Sequence, residues 1–301
     1  MSEQTNGRLP VEDCLGPRIT VTVSPTQARA GQVVTLTATL GNDCRLPLRR
    51  AVLYLGGRAA AADPFRLGDV PPGRTVTRTR RVRLARDAEG PVSFDAHANF
   101  DIAGRSSDCA RASQSIELPY RTLRGSFDNR GVADDGHHEG ADFDGSGSSL
   151  SAQALAAVGC TPGAAVGSWF TWPAVTAGAP DNVVCGGQTV LVSGAGGRLA
   201  FLGTSTWGVS RGGGTVRYTD GTETPFTVAV NDWYGSDPAA VVVAPYRNVS
   251  GGRDDTPVSL YTFTVALRPD KQLEAVVLPD VGPGPTPGVP ALHVFAMAVV
   301  A

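Results

Sequence analysis

The stretch TVRYTDGTETPFTVAV, residues 215–230, decides the fold class. β-branched and aromatic residues flank Asp220-Gly221 on both sides, and this residue pair is typical of a two-residue hairpin turn. Two antiparallel strands joined by a tight turn are therefore expected here. Similar short runs, bounded by Gly, Pro, Asn and Asp, recur along the whole chain, which predicts an all-β protein.

The composition agrees with this prediction. The chain has 301 residues, including 37 Gly and 22 Pro, and both residue types break helix interiors, so a helical bundle is excluded. The hydrophobic content of 42% is too high for a disordered chain, and no apolar run reaches the roughly 18 residues of a membrane span. The net charge of −2 argues against nucleic-acid binding, because that function requires a positively charged surface.

Length and charge both predict two domains, at about 150 residues per domain. Residues 1–120 carry 16 Arg against 12 acidic residues, whereas residues 121–301 carry 10 basic against 16 acidic residues. We expect an N-terminal extension at 1–17, an immunoglobulin-like β-sandwich at 18–120 and a larger jelly-roll-type β-sandwich at 121–301.

The predicted strands follow the alternating runs. In the first domain they lie at 18–23, 32–40, 51–55, 74–84, 91–100 and 113–120. In the second domain they lie at 122–127, 150–157, 165–172, 187–193, 198–204, 214–219, 223–230, 240–246, 259–267, 273–279 and 291–300. The alanine-rich segment SAQALAAVG within this series favours a short helix as an alternative.

Five cysteines bear on the compartment: Cys14, Cys44, Cys109, Cys160 and Cys185. The first three are expected at one end of the first sandwich, with a bridge Cys44–Cys109 or Cys14–Cys109. A bridge Cys160–Cys185 and its absence are equally expected, because strand counting puts these residues at opposite ends. The first residues show no signal peptide. We favour a mature secreted, extracellular protein over an internal protein with free thiols.

Aromatic residues give the candidate ligand site. Trp233 and Tyr234 follow Asp232 in the polar loop NDWYGSDP, and such rings stack on sugar faces. Strand counting places this loop at the same end as the loops 173–186 and 208–213. A loop capped by its own aromatic residues is the equally favoured alternative. The candidate ligand-binding residues are Trp233, Tyr234, Asp232, Trp169, Asp181 and Asn182. Trp207 has the strand parity of a core or rim residue.

The acidic loop 134–147 holds the candidate residues for metal binding and catalysis. Asp142 and Asp144 fit the first half of an EF-hand-like loop, but Gln153 stands where such a loop needs a bidentate Glu. No cofactor is expected apart from a structural Ca²⁺ ion at these two carboxylates, and a solvated acidic loop is the favoured alternative. The Gly208–Gly212 segment matches G-x-S-x-G but is followed by a strand, so a nucleophile elbow is excluded. No catalytic residues are predicted.

Several motifs in the second domain resemble a known family. They are Phe127-x-Asn129-x-Gly131, Phe143-Asp144-Gly145-x-Gly147, Thr161-Pro162-Gly163, Phe170-Thr171-Trp172-Pro173 and Pro180-Asp181-Asn182-Val183. This domain resembles the C-terminal β-sandwich accessory domain of secreted actinobacterial hydrolases, glycoside hydrolases especially. The first domain resembles the immunoglobulin-like module associated with α-galactosidases and novel carbohydrate-binding modules. The resemblance implies a non-catalytic role in carbohydrate binding or scaffolding and brings no assigned ligand residues.

Three functions follow in order of preference. The first is a secreted, non-catalytic accessory protein that binds polysaccharide or glycan, with no nucleic-acid partner and no membrane span. The second is a structural spacer or docking module for a protein partner. The third is a hydrolase that uses the acidic loop 134–144.

Overall fold

The computed structural model describes residues 16–57, 60–137, 139–282 and 284–301, apart from a few side chains within strands. The chain divides into two compact units, Met1–Leu118 and Pro119–Ala301. The division falls two residues before the predicted boundary at 120/121. No helix among the described residues has the length and hydropathy needed to cross a bilayer.

The first unit is a sandwich of two antiparallel sheets. Its described strands are β1 (Arg18–Ser24), β2 (Val33–Gly41), β3 (Leu48–Gly57), β4 (Ala60–Val70), β5 (Thr75–Arg83), β6 (Gly90–Ile102) and β7 (Arg105–Leu118). One sheet has the order β1-β2-β5 and the other β4-β3-β6-β7. Alternate residues of facing strands, such as Leu36, Leu53 and Phe94, are fully buried between the sheets. The sandwich architecture predicted for this unit is confirmed.

Two features of the first unit differ from expectation. Strand β4 was not predicted, because its Pro64 and Gly68 are typical of loops. The strand tolerates the missing amide of proline because it lies at a sheet edge and pairs only with β3. Cys109 belongs to β7 and not to the last hairpin loop, whose turn lies at 103–104. Cys14 and the Cys109 side chain lie outside the described residues, so the bridge expected in this unit stays a prediction.

The second unit contains many short elements. Its described strands are β8 (Val132–Ala133), β9 (Ser149–Ser151), β10 (Ala165–Val166), β11 (Phe170–Thr171), β12 (Val183–Val184), β13 (Thr189–Gly194), β14 (Arg198–Thr206), β15 (Ser210–Tyr218), β16 (Glu223–Val230), β17 (Val242–Ala244), β18 (Arg247–Val249), β19 (Gly252–Asp254), β20 (Val258–Ala266), β21 (Leu273–Asp280) and β22 (Ala291–Val300). A 3₁₀ turn at Leu123–Ser126 and the helix α1 (Ala152–Ala157) complete the set.

A five-stranded sheet, β12-β22-β14-β20-β17, forms the centre of the second unit. Leu199 and Phe201 on β14 pack with the four-stranded sheet β13-β21-β15-β16. Ala200 and Leu202 point the other way and pack with residues of α1 and of the loops, including Trp172. The predicted sandwich is therefore confirmed, and a third layer of loops, α1 and short strands covers its central sheet.

Some of the local structure predictions for this unit are confirmed and others are wrong. The hairpin at Asp220-Gly221 is confirmed, since Arg217 pairs with Glu223. Its predicted two-residue turn is wrong: the Tyr218 amide donates to the Thr222 carbonyl oxygen, which leaves a three-residue loop that ends at Gly221 with a φ of +81°. The strand predicted at 122–127 is wrong, because the segment forms the 3₁₀ turn. The helix alternative is correct for α1, where the Ser151 hydroxyl caps the first turn by accepting from the Ala154 amide at 3.0 Å.

Cys160 and Cys185 are free and buried. They belong to the two different cores on opposite faces of the central sheet, so a bridge between them is wrong. Burial raises the pKa of both thiols, that of Cys160 to about 11. Neither thiol is therefore expected to react while the unit is folded.

We expect a thiol reagent added to the native protein to leave Cys160 and Cys185 unmodified, because both lie inside folded cores. After denaturation without reductant, peptide mapping by mass spectrometry should find both residues modified. A peptide pair linked through Cys160 and Cys185 would contradict the structure. The same map identifies the partner in any bridge among Cys14, Cys44 and Cys109.

Candidate functional site

A surface cavity of about 290 Å³ in the second unit brings together two regions that the sequence marked separately. Four segments contribute to it: the loop before β9, the turn between β14 and β15, the loop after β16, and the start of β18. The lining residues are Asp144, Ser146, Ser148, Trp207, Asp232, Trp233, Tyr234 and Arg247. Acidic and aromatic side chains thus share one concave surface.

The loop before β9 is held rigidly by its own aspartates. Asp144 Oδ1 accepts hydrogen bonds from the amide and the hydroxyl of Ser146 and from the amide of Ser148, at 2.9, 2.8 and 3.2 Å. Asp142 Oδ1 accepts from the Gly147 amide at 3.0 Å. A Cβ atom on Gly145 would lie 2.6 Å from the Pro285 carbonyl oxygen, so this position requires glycine. The loop therefore holds Asp144 in a fixed position at the cavity.

The calcium prediction gains no support from this geometry. Asp142 and Asp144 each use Oδ1 to bind loop amides, whereas an EF-hand-like loop would direct these oxygens at the metal. No group of three or more His, Cys, Asp or Glu side chains in the described part of the chain could hold a metal ion. Calcium at Asp142 and Asp144 stays an untested prediction.

The other carboxylates of the acidic loop also serve the fold. The two oxygens of Asp135 accept from the hydroxyls of Ser151 and Tyr246, the latter at 2.7 Å. Asp134 Oδ1 accepts from Gln153 Nε2 at 2.9 Å. These bonds join the loop to the start of α1, and of the predicted loop's acids only Asp144 lines the cavity.

Trp207 lies at the rim of the cavity, one of the two positions that its strand parity allowed, although it was not among the candidate ligand-binding residues. Its φ of +59° lies in the left-handed region, which costs a residue other than glycine about 1–3 kcal/mol. The indole Nε1 donates to the Asp144 carbonyl oxygen, and 39% of the residue is exposed. The next amide, that of Gly208, donates to the Asp232 carboxylate. These two hydrogen bonds hold the turn in its strained conformation and keep the Trp207 ring at the cavity.

Trp233 and Tyr234 have different environments. Trp233 is only 2% exposed, and its ring packs edge-on against Phe143 with centroids 4.8 Å apart. The prediction that Trp233 offers a free stacking face is therefore wrong, since its ring belongs to the core beneath the cavity. Tyr234 is 55% exposed, and its amide donates to Asp232 Oδ1 at 2.9 Å. Tyr234 and Asp232 are the loop residues that a ligand could reach.

Arg247 completes the cavity from β18. Its Nε and Nη2 atoms both lie 2.9 Å from Asp254 Oδ2. Its guanidinium carbon lies 4.6 Å from the ring centroid of Tyr234 and 5.3 Å from that of Trp233. Cation–π contacts of this kind contribute about 0.5–2 kcal/mol. Arg247 therefore fixes the orientation of Tyr234, and no sequence pattern had marked it.

Asp181 and Asn182, predicted as ligand residues, are buried and hold loops together. Asp181 accepts from the amides of Gly131 and Val132, at 3.3 and 2.8 Å. Asn182 Nδ2 donates to Asp181 Oδ1 at 2.7 Å, and Asn182 Oδ1 lies 2.8 Å from His293 Nδ1. Burial raises the pKa of Asp181 to about 6 and lowers that of His293 to about 3. Neither residue lines the cavity of Trp207 and Tyr234, and the ligand role of Asp181 and Asn182 stays an untested prediction.

Trp169 lies in the turn between β10 and β11. It is 40% exposed, and its ring meets Phe170 edge-on with centroids 6.3 Å apart. It does not line the cavity. The structure therefore separates Trp169 from Tyr234 and Asp232, with which the sequence had grouped it.

Comparisons with known proteins add little to this geometry. No protein-family model and no curated protein matches the chain. The CARDB domain of the Pyrococcus furiosus PF1109 protein shares 9% identity over 39% of this chain and 99% of its own, with a TM-score of 0.28. Red sea bream transglutaminase shares 19% identity over 35% of this chain and 15% of its own, with a TM-score of 0.28. The secreted serine protease VesC from Vibrio cholerae shares 12% identity over 90% of this chain and 48% of its own, with a TM-score of 0.27. Similarity at this level carries no argument about function.

The pKa values of Asp181 and His293 make opposite contributions to stability between pH 4 and pH 6. The folded-state pKa of Asp181 is raised, so its contribution is full below about pH 4 and is lost as the pH rises through about 6. The folded-state pKa of His293 is lowered, so its contribution is full above about pH 6.5 and is lost as the pH falls through about 3.

We expect Asp181→Asn to remove the pH-dependent contribution of Asp181 to stability and to keep that of His293. Relative to the wild type, the free energy of unfolding of the variant should rise between pH 4 and pH 6 by about 2–3 kcal/mol. Urea unfolding at pH 4, 5 and 6 measures this difference. Parallel pH profiles for the two proteins would contradict the buried, ionisable position of Asp181.

Proposed function

We propose that the protein is a secreted, non-catalytic accessory protein whose second unit binds polysaccharide or glycan in the cavity between Trp207 and Tyr234. The observation that carries the proposal is the pairing of two exposed aromatic rings with Asp144, Asp232 and Arg247 on one concave surface. A sugar ring has an apolar C–H face that stacks on aromatic rings, and hydroxyl groups that bind carboxylates and guanidinium groups.

The way in which Trp207 is held supports a binding role. Trp207 has a positive φ, and residues with unfavourable φ occur preferentially at ligand sites. The bond from its indole to the Asp144 carbonyl oxygen joins the ring to the acidic wall of the cavity. The resemblance of the second domain to accessory domains of secreted glycoside hydrolases agrees with the proposal.

A hydrolase that uses the loop 134–144 has less support. The side chains of Asp134 and Asp135 are hydrogen bonded to Gln153, Ser151 and Tyr246 within the fold. Glycoside hydrolysis by the usual route uses two positioned carboxyl groups, and the cavity has two, those of Asp144 and Asp232. Both oxygens of Asp232, however, accept hydrogen bonds from the backbone amides of Gly208 and Tyr234, so this carboxylate serves the local fold. We therefore prefer binding without catalysis.

We expect the purified protein to bind an insoluble or arrayed polysaccharide, and Trp207→Ala and Tyr234→Ala each to weaken that binding about tenfold or more. The reason is that truncation of a central aromatic residue removes most of the stacking surface. Pull-down on insoluble polysaccharides and titration on a glycan array measure the effect.

Trp169→Ala is the matched control for these variants. It removes a tryptophan of nearly equal exposure, 40% against 39% for Trp207, from the same unit but away from the cavity. Binding by this variant should equal that of the wild type. An equal loss in all three variants would contradict the cavity as the site, and a blank across the whole panel would contradict carbohydrate binding and favour the docking alternative.

A further inference from the structure

The two carboxylate oxygens of Asp144 have unequal surroundings. Oδ1 accepts the three loop hydrogen bonds described above, whereas no described residue donates a hydrogen bond to Oδ2. The closest charged group to Oδ2 is Arg247 Nη1 at 3.9 Å, which is too far for a direct hydrogen bond. Asp144 is only 4% exposed and lines the cavity. Oδ2 is thus the oxygen of this carboxylate that remains available to a donor in the cavity.

Arg247 faces Asp144 with a fixed geometry. Its Nε and Nη2 atoms are occupied by Asp254, and stacking on Tyr234 sets the plane of the guanidinium group. Nη1 is therefore the donor that remains on the side of Asp144. An oxygen atom at about 2.8 Å from both atoms fits the 3.9 Å gap between Nη1 and Oδ2. A hydroxyl group meets both needs, because it accepts from Nη1 and donates to Oδ2.

The charge of the cavity favours an uncharged ligand. Two carboxylates, Asp144 and Asp232, and one guanidinium group line it. The charge of the guanidinium group is already shared with Asp254, which lies 2.9 Å away. A uronate or a sulfate group would therefore enter a net negative surface, and like charges brought together at a binding site oppose association.

We propose that the cavity selects neutral glycans, and that one sugar hydroxyl bridges Asp144 Oδ2 and Arg247 Nη1. This inference rests on the proposed carbohydrate function and adds to it the ligand class and the residues that select it. The hydroxyl donates to the carboxylate, so the site requires an ionised oxygen at this position.

The test compares neutral and acidic hexasaccharides. Cellohexaose, mannohexaose and xylohexaose represent the neutral class, and hexagalacturonate represents the acidic class, all titrated by calorimetry. We expect a neutral hexasaccharide to bind the wild-type protein at least tenfold more tightly than hexagalacturonate. Tighter binding of hexagalacturonate would overturn the proposal, and this comparison needs no variant.

Asp144→Asn tests the hydroxyl bridge. The amide keeps an oxygen for the loop amides but places an NH₂ donor beside Arg247, so the sugar hydroxyl loses its acceptor. We expect affinity for the best neutral hexasaccharide to fall about tenfold or more, with a smaller loss for hexagalacturonate because a negative charge is removed. A purely structural defect would lower both affinities by the same factor.

Asp270→Asn is the matched control, since it makes the same change in the same unit at an exposed carboxylate that does not line the cavity. Its affinities should equal those of the wild type, and melting curves establish that both variants are folded. If Trp207→Ala abolishes binding while Asp144→Asn leaves it unchanged, the hydroxyl bridge is wrong and the proposed function stands. If no saccharide binds at all, both are wrong.

Discussion

The second unit depends on one constraint, which is that strand β14 is buried on both faces. Every residue from Leu199 to Thr206 is buried, so each side chain must be apolar or must find a hydrogen-bond partner inside the protein. The apolar part of the strand separates the two cores. Gly203 leaves room for the His293 carbonyl oxygen of β22, since a Cβ atom there would overlap it. The last residues, Ser205 and Thr206, bond to Ser210 and His293. Because these contacts hold β14 along its length, they fix the position of its last residue, Thr206, and therefore of Trp207, which comes next.

The same constraint explains the buried polar groups beside the strand. The third layer consists of loops, whose backbone groups need partners once they are buried. The Asp181 carboxylate accepts hydrogen bonds from the amides of Gly131 and Val132. Asn182 then links these loop residues to His293 on β22. Gly131, Asp181 and Asn182 belong to the Phe127–Gly131 and Pro180–Val183 motifs of this unit. Those motifs therefore fasten loops to the central sheet, and most of the residues that line the cavity lie elsewhere in the sequence. Asp144, in the motif Phe143–Gly147, is the exception, because one of its oxygens closes the loop and the other faces the cavity.

The sequence was sufficient for features with local causes. Asp220-Gly221 sets its hairpin through backbone conformation, and Ser151 sets the start of α1 through one hydrogen bond. Whether a side chain is buried in a three-layered unit depends on residues that are distant in sequence, so no local pattern predicts it. Trp233 and Tyr234 are neighbours in a polar loop, and only the packing against Phe143 makes one of them core. The strand parity of Trp207 left core and rim open, and the positive φ of its turn places the ring at the rim. Arg247 could not be predicted, because its partners Asp144 and Tyr234 are distant in sequence.

The cavity is built before any ligand arrives. The indole of Trp207 is bonded to the loop of Asp144, that loop is closed by its own amides, and the ring of Tyr234 is stacked against an arginine that Asp254 holds. Binding therefore does not have to order these side chains, and the free energy of contact is not spent on their conformational entropy. The cavity of about 290 Å³ offers a small contact area, so the rigidity of its walls matters most for any ligand that it binds.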